Sequence, residues 1–170
     1  MEENKVLAKR MYFFVPYNIS EIAKGIQAGH AALEYARKFS TTDLFKEFVS
    51  EHKTWIILNG GTTNDQRDFE GIAQGTLNQI ADQLQENDIP FSFFREPDLN
   101  DALTALCFIV DERVFNTVDY PSFDEFIQNK VENDGESIFM GYDAYLNEYD
   151  DLYGEKTRFL KELILTKKLA

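Results

Sequence analysis

Met11-Tyr12-Phe13-Phe14-Val15-Pro16 is a short run of bulky apolar residues closed by a proline, the pattern of a buried strand. Ser20 then stands as a good N-cap, and Ile22, Ile26, Gly29, Leu33 and Ala36 follow at helical spacing. That spacing predicts an amphipathic helix over residues 20–38 with these residues as its apolar stripe and His30 at the stripe's edge. A buried strand feeding a helix opens an α/β unit, and such a helix aims its first turns at the crevice where α/β folds bind ligands.

The rest of the chain extends this unit. Ser40 or Thr42 caps a short helix through Leu44, Phe45 and Phe48, and Trp55-Ile56-Ile57-Leu58 reads as a second buried strand stopped by Asn59-Gly60-Gly61. Ile72, Leu77, Ile80, Ala81 and Leu84 mark a longer helix ending near Asn87-Asp88. Phe91-Ser92-Phe93-Phe94 forms a third strand and Thr104–Val110 a fourth, with Glu96–Asp101 as the turn between them. The order β-α-α-β-α-β-β implies an α/β fold: a mixed four-stranded sheet with helices on both faces. From about residue 111 the text becomes acidic and aromatic, with Tyr142, Tyr145, Leu146, Tyr149, Leu152 and Tyr153 at helical spacing. Residues 1–112 are therefore expected to form the α/β domain, and 113–170 an acidic helical extension packed on it, since disordered acidic tails are poor in aromatics.

Composition narrows the function classes. A net charge of −13 and a pI near 4.5 argue against broad binding to a polyanion, which needs many Lys and Arg contacts to phosphates. Cys107 is the sole cysteine, which excludes an internal disulfide and suits a reducing cytoplasm. With only His30 and His52 beside it there is no Cys/His cluster of zinc spacing, so neither metal nor cofactor is expected. Cys107 itself, inside Leu106-Cys107-Phe108-Ile109, reads as a small core residue. The start MEENKVLAKR lacks an apolar h-region, and no stretch reaches the roughly 18 apolar residues of a membrane span. Gly60-Gly61 lack the spacing and lysine of a P-loop and read as a turn.

Two passages carry a family resemblance: Ile26-Gln27-Ala28-Gly29-His30-Ala31-Ala32-Leu33-Glu34, and Phe94-Arg95-Glu96-Pro97-Asp98-Leu99 with Leu103-Thr104-Ala105-Leu106. Over roughly residues 10–112 the chain resembles the second family of peptidyl-tRNA hydrolases, the archaeal and eukaryotic type, and within it a divergent bacterial and phage branch. The resemblance implies cleavage of the ester joining a peptide to the terminal ribose of tRNA, in a bacterial host's cytoplasm if the chain is phage-encoded. It places His30 at the family's helical histidine, Thr104 at the threonine entering the fourth strand, and Glu96 in the region of the family's aspartate. The family's lysine has no clean counterpart: Ala23 stands where it falls, and Lys24 lies about 100° further around the helix.

Ester hydrolysis needs a water oriented or deprotonated by a base, and a donor for the developing oxyanion. His30 suits the base, with Glu96 or Asp98 orienting its ring. The Thr104 hydroxyl, the Gln27 amide or a loop N–H supplies the donor. Lys24, Arg37, Lys38 and Arg95 are the nearest cations for the tRNA's terminal phosphates, although Arg95 also suits a surface ion pair. The alternative reading is a catalytically lapsed member of the fold that binds a tRNA end, a nucleotide-like ligand or, through its acidic tail, a host protein. Family members often pair as homodimers, so that state is a further expectation.

Overall fold

The computed structural model describes residues 6–133 and 141–170. Its sheet contains β1 (Lys9–Pro16), β2 (Thr54–Gly61), β3 (Phe91–Glu96) and β4 (Ala102–Asp111) in the order β2-β1-β4-β3. β1 and β2 run parallel, whereas β3 and β4 are antiparallel. Helix α1 (Glu21–Phe39) follows β1, α2 (Asp43–Glu47) leads through a π-helical turn (Phe48–His52) into β2, and α3 (Thr76–Glu86) follows β2. The caps match their residue types: the Ser20 hydroxyl accepts from the Ala23 N–H and the Thr42 hydroxyl from the Phe45 N–H.

Alternation along β1 sends its side chains to two cores. Met11, Phe13 and Val15 pack with Ala28, Ala31 and Tyr35 of α1 and with Ala105, Cys107 and Ile109 of β4. Tyr12 and Phe14 stack on Phe108 on the opposite face. α3 packs there closely enough that a Cβ on Gly60 would lie 2.6 Å from Leu77 Cδ1 and 3.2 Å from Phe14 Cβ. The sheet is thus mixed and covered by helices on both faces.

Three expectations are corrected. The apolar stripe of α1 faces outward: Ile22 is 79 %, Ile26 51 % and Leu33 71 % exposed, while Lys24, Gln27, Ala28, Ala31 and Tyr35 are buried. Volume explains the inversion. Met11, Phe13 and Val15 already fill the sheet face, so close-packed interiors leave room mainly for alanines on the helix above them. Second, β2 lies at a sheet edge, not fully buried, and Trp55 is 45 % exposed. Third, Ile72 falls outside α3, which starts at Thr76. The Asp68 carboxylate accepts from the Glu70 and Ile72 N–H groups, and Gly71 adopts φ +84°, so the chain turns there instead of coiling.

The chain forms two compact units. The sheet unit comprises Ala8–Val110 and also Lys167–Ala170. These last residues add to the open edge of β2: the Asn59 N–H donates to the Lys168 carbonyl at 2.9 Å and the Ala170 N–H to the Ile57 carbonyl at 3.0 Å. Covering an edge in this way blocks unwanted strand pairing. The helical unit is built on Asp111–Thr166, with α4 (Glu112–Phe115), α5 (Phe123–Asn133), α6 (Tyr142–Tyr153) and α7 (Glu155–Leu165). Its core joins Phe123 and Phe126 to Tyr145 and Tyr149, with Tyr153 packed alongside, while Tyr142 and Leu152 of the same row are exposed. Among the described residues, no helix is long and apolar enough to cross a membrane.

Candidate functional site

Three side chains far apart in sequence meet where β3 ends and β4 begins. Gln27 comes from the buried face of α1, Glu96 is the last residue of β3, and Thr104 is the third residue of β4. A β-bulge places the threonine: Phe94 pairs with Ala105 and Arg95 with Leu103, leaving Thr104 as the unpaired extra residue. The Thr104 hydroxyl donates to Gln27 Oε1 at 2.6 Å, and Gln27 Nε2 donates to Glu96 Oε2 at 2.7 Å. Thr104 is 2 % and Gln27 8 % exposed. Polar groups buried to this degree are costly unless bonded, and the chain Thr104–Gln27–Glu96 satisfies that demand.

His30 stands one helical turn beyond Gln27. Its ring meets Phe94 edge-on with centroids 4.3 Å apart, and its buried Nδ1 has no hydrogen-bond partner. The expected carboxylate support for the imidazole is corrected: the Glu96 carboxylate holds Gln27, and Asp98 is exposed in the 3-10 turn Pro97–Leu99. His30 also lines a groove of about 640 Å³ whose walls include Ile26, Leu33, Phe48, Val49 and Trp55, with Lys53 as its sole cationic residue.

The four candidate cations do not gather around His30. Lys24 lies on the buried face with Gln27 and pairs with Glu21 at 2.8 Å. Arg37 binds Glu34 at 2.7 Å, and the Lys38 ammonium sits 4.8 Å from the centroid of the Phe93 ring. Arg95 grips both oxygens of Asp65 at 2.8 and 2.9 Å and donates to the Asp101 carbonyl at 2.9 Å. That grip, helped by a bond from Asn78, holds the Asp65 carboxyl below the ordinary carboxylate range. The ion-pair reading of Arg95 is therefore the one the structure realises.

The structure adds Trp55, Asp65 and Asn78 to the residues the sequence singles out, and gives Phe94 of the second motif its contact with His30. The dense polar run Thr62-Thr63-Asn64-Asp65-Gln66-Arg67 was the one available signal for Asp65 and Asn78, whereas the partners of Phe94 and Trp55 lie too far along the chain to read. Cys107 is fully buried beside Ser92 and the Ala31 carbonyl, and burial pushes its thiol up to about 12, which leaves it inert as a nucleophile. Among the described residues, no group of three or more His, Cys, Asp or Glu side chains is placed to hold a metal ion. The chain matches no protein-family model and no curated protein sequence.

Proposed function

We propose that the protein is a metal-independent hydrolase of the ester that joins an acyl group to the 3′ end of tRNA, with peptidyl-tRNA or a related acylated tRNA as substrate. The observation that carries this reading is the Thr104–Gln27–Glu96 chain of hydrogen bonds beside His30, which draws residues 69 and 77 positions apart to the end of two strands. His30 in its neutral form takes the proton of the attacking water; positioned general bases of this kind contribute about 10²–10⁴-fold. Gln27 uses one amide hydrogen on Glu96, and its second is the donor for the oxyanion. Thr104 fixes the orientation of that amide by donating to its oxygen. As the new C–O bond forms, the ribose oxygen leaves and takes up the proton.

A second reading has its own observation. Lys24, Arg37 and Arg95 are each paired with a carboxylate, and the wall beside His30 is apolar, not cationic. This arrangement suits a lapsed hydrolase that binds a tRNA end or a host protein. Release of the acyl group from an N-acetylated aminoacyl-tRNA, without added metal, separates the two. Turnover by wild type that falls at least a hundredfold in a folded His30→Ala variant supports the hydrolase; absence of turnover by folded wild type supports the binding module.

A further inference from the structure

His30 is shared by two neighbourhoods of opposite polarity. Towards the β3–β4 end lie Glu96 and Thr104, each hydrogen-bonded to Gln27 between them. On the other side lies the groove of about 640 Å³, within the size range of small-ligand sites. Several of its apolar walls stand open: Val49 is 42 %, Trp55 45 %, Ile26 51 % and Leu33 71 % exposed. Covering such surface is favourable in proportion to its apolar area. A ribose or phosphate placed there would find only Lys53 and His30 as polar side chains in an otherwise apolar wall.

An acylated tRNA has the same division. Its nucleotide end is polar and charged, and its acyl end carries an amino-acid side chain. We infer that the groove takes the apolar side chain of the acyl residue next to the ester, so that the protein discriminates substrates by the bulk and hydrophobicity of that residue. This inference rests on the hydrolase reading above and names the substrate class of that site. The geometry lets the ester lie at His30, with the acyl side chain among Phe48, Val49 and Trp55 and the nucleotide towards Glu96.

Trp55 is the sole tryptophan of the chain, so it reports on groove occupancy directly. The test has two arms on the full chain: Trp55 emission during titration with N-acetyl-leucinamide or N-acetyl-glycinamide, and kcat/KM for N-acetyl-leucyl-tRNA against N-acetyl-glycyl-tRNA. The leucine compounds are expected to shift the emission to the blue and to react about tenfold or more faster than the glycine ones, as burial of one apolar side chain allows. Val49→Glu and Leu33→Glu, both at exposed positions and each checked for a retained fold by circular dichroism, are expected to bring the leucine-to-glycine ratio towards one. Equal rates for the two tRNAs in wild type overturn the inference and leave the hydrolase reading standing. A leucine-selective Trp55 response without turnover of either tRNA removes the hydrolase reading and keeps the groove as an apolar side-chain site. A concentration-dependent doubling of mass with no Trp55 response overturns the inference in favour of a second copy covering α1.

Discussion

Residues 111–166 of the helical unit and the whole sheet unit carry the same number of acidic residues, 14 each, but 5 basic residues stand in the former and 11 in the latter. The helical stretch thus has a net charge of −9 and the sheet unit −3. Both units bury polar side chains, and they use them differently. In the helical unit Lys161 is 1 % exposed and donates to the Tyr120 and Pro121 carbonyls, while the Tyr149 hydroxyl donates to the same Pro121 carbonyl at 2.8 Å. Those bonds terminate on backbone, so they tie the loop before α5 to α6 and α7. In the sheet unit the chain from Thr104 through Gln27 ends on Glu96, a half-buried carboxylate at a strand terminus. Burial of a polar group is therefore structural where its partners are carbonyls of its own unit, and points to a site where its network opens on a strand end.

The largest expected effect breaks the structural half of this comparison. Lys161→Ala removes a buried stem and the donor to the Tyr120 carbonyl, while the Pro121 carbonyl keeps the Tyr149 hydroxyl; this costs about 3 kcal/mol, and Lys161→Met, which keeps the apolar stem, costs about half as much. Urea unfolding followed by far-ultraviolet circular dichroism measures both. If the methionine variant loses nothing, the lysine is merely tolerated there and the contrast with Gln27 weakens.

Gln27→Ala tests the other half. It takes from the buried Thr104 hydroxyl its 2.6 Å acceptor, leaving only the Phe94 carbonyl at 3.4 Å, and from Glu96 the Gln27 amide donor, at a cost of about 2 kcal/mol, read from Trp55 fluorescence in urea. Under the hydrolase reading, turnover falls by a hundredfold or more at temperatures where the variant remains folded. A variant that loses stability but keeps its turnover would make this network as structural as Lys161.

Most of the fold could be read in the sequence because strands, caps and turns are local. Met11–Pro16, the Ser20 cap and the Glu96–Asp101 turn each signal themselves through neighbouring residues. The orientation of α1 could not be read this way, since its periodicity fits either face. What decides between the faces is the volume already taken by Met11, Phe13 and Val15, together with the partners that make Gln27 tolerable inside. Those partners are 69 and 77 residues away. The two motifs contain Gln27, His30, Glu96 and Thr104, but do not tell that Glu96 holds Gln27 and leaves His30 Nδ1 without a hydrogen-bond partner. Burial of Lys161 and the return of Lys167–Ala170 to β2 are equally non-local, since their partners lie about 40 and 110 residues away along the chain.

Alkaline titration contrasts the units again. Burial pushes Cys107 of the sheet unit up to about 12 from 9.0 and Tyr149 of the helical unit up to about 12 from 10.0. Both groups are neutral when folded, so their stabilisation is complete below the unfolded values and is lost as pH rises towards the folded ones. Each contributes a slope of roughly 1.4 kcal/mol per pH unit within its window. The sheet unit should begin to weaken near pH 9. In Cys107→Ala the onset should move to about pH 10, where Tyr35, also raised by burial, takes over. Trp55 fluorescence resolves that onset, and an unchanged onset in the variant would show that the thiol is not the group that titrates.

The smallest effect concerns Arg95, which ties the loop after β2 to the end of β3 through Asp65. The pair is partly exposed, with side chains 33 % and 54 % accessible, so Arg95→Ala should cost below about 1 kcal/mol despite its two-pronged geometry. The Asp65 carboxyl is held below its ordinary range, first by its hydrogen bond to Arg95. The stabilisation is thus present above the unfolded carboxylate value and disappears as acid carries pH down through the folded one. Arg95→Ala should accordingly show its small loss at neutral pH, flatten the acid limb, and converge with wild type once pH falls below the folded value. Turnover sharpens the point, because an arginine already committed to Asp65 has no charge to spare for a phosphate. Under the hydrolase reading, the expected result is an unchanged KM for acylated tRNA with a small change in kcat. A severalfold rise in KM that vanishes at high salt would mean that Arg95 exchanges Asp65 for a tRNA phosphate on binding, and the sheet unit would then hold a cation that is structural when empty and functional when occupied.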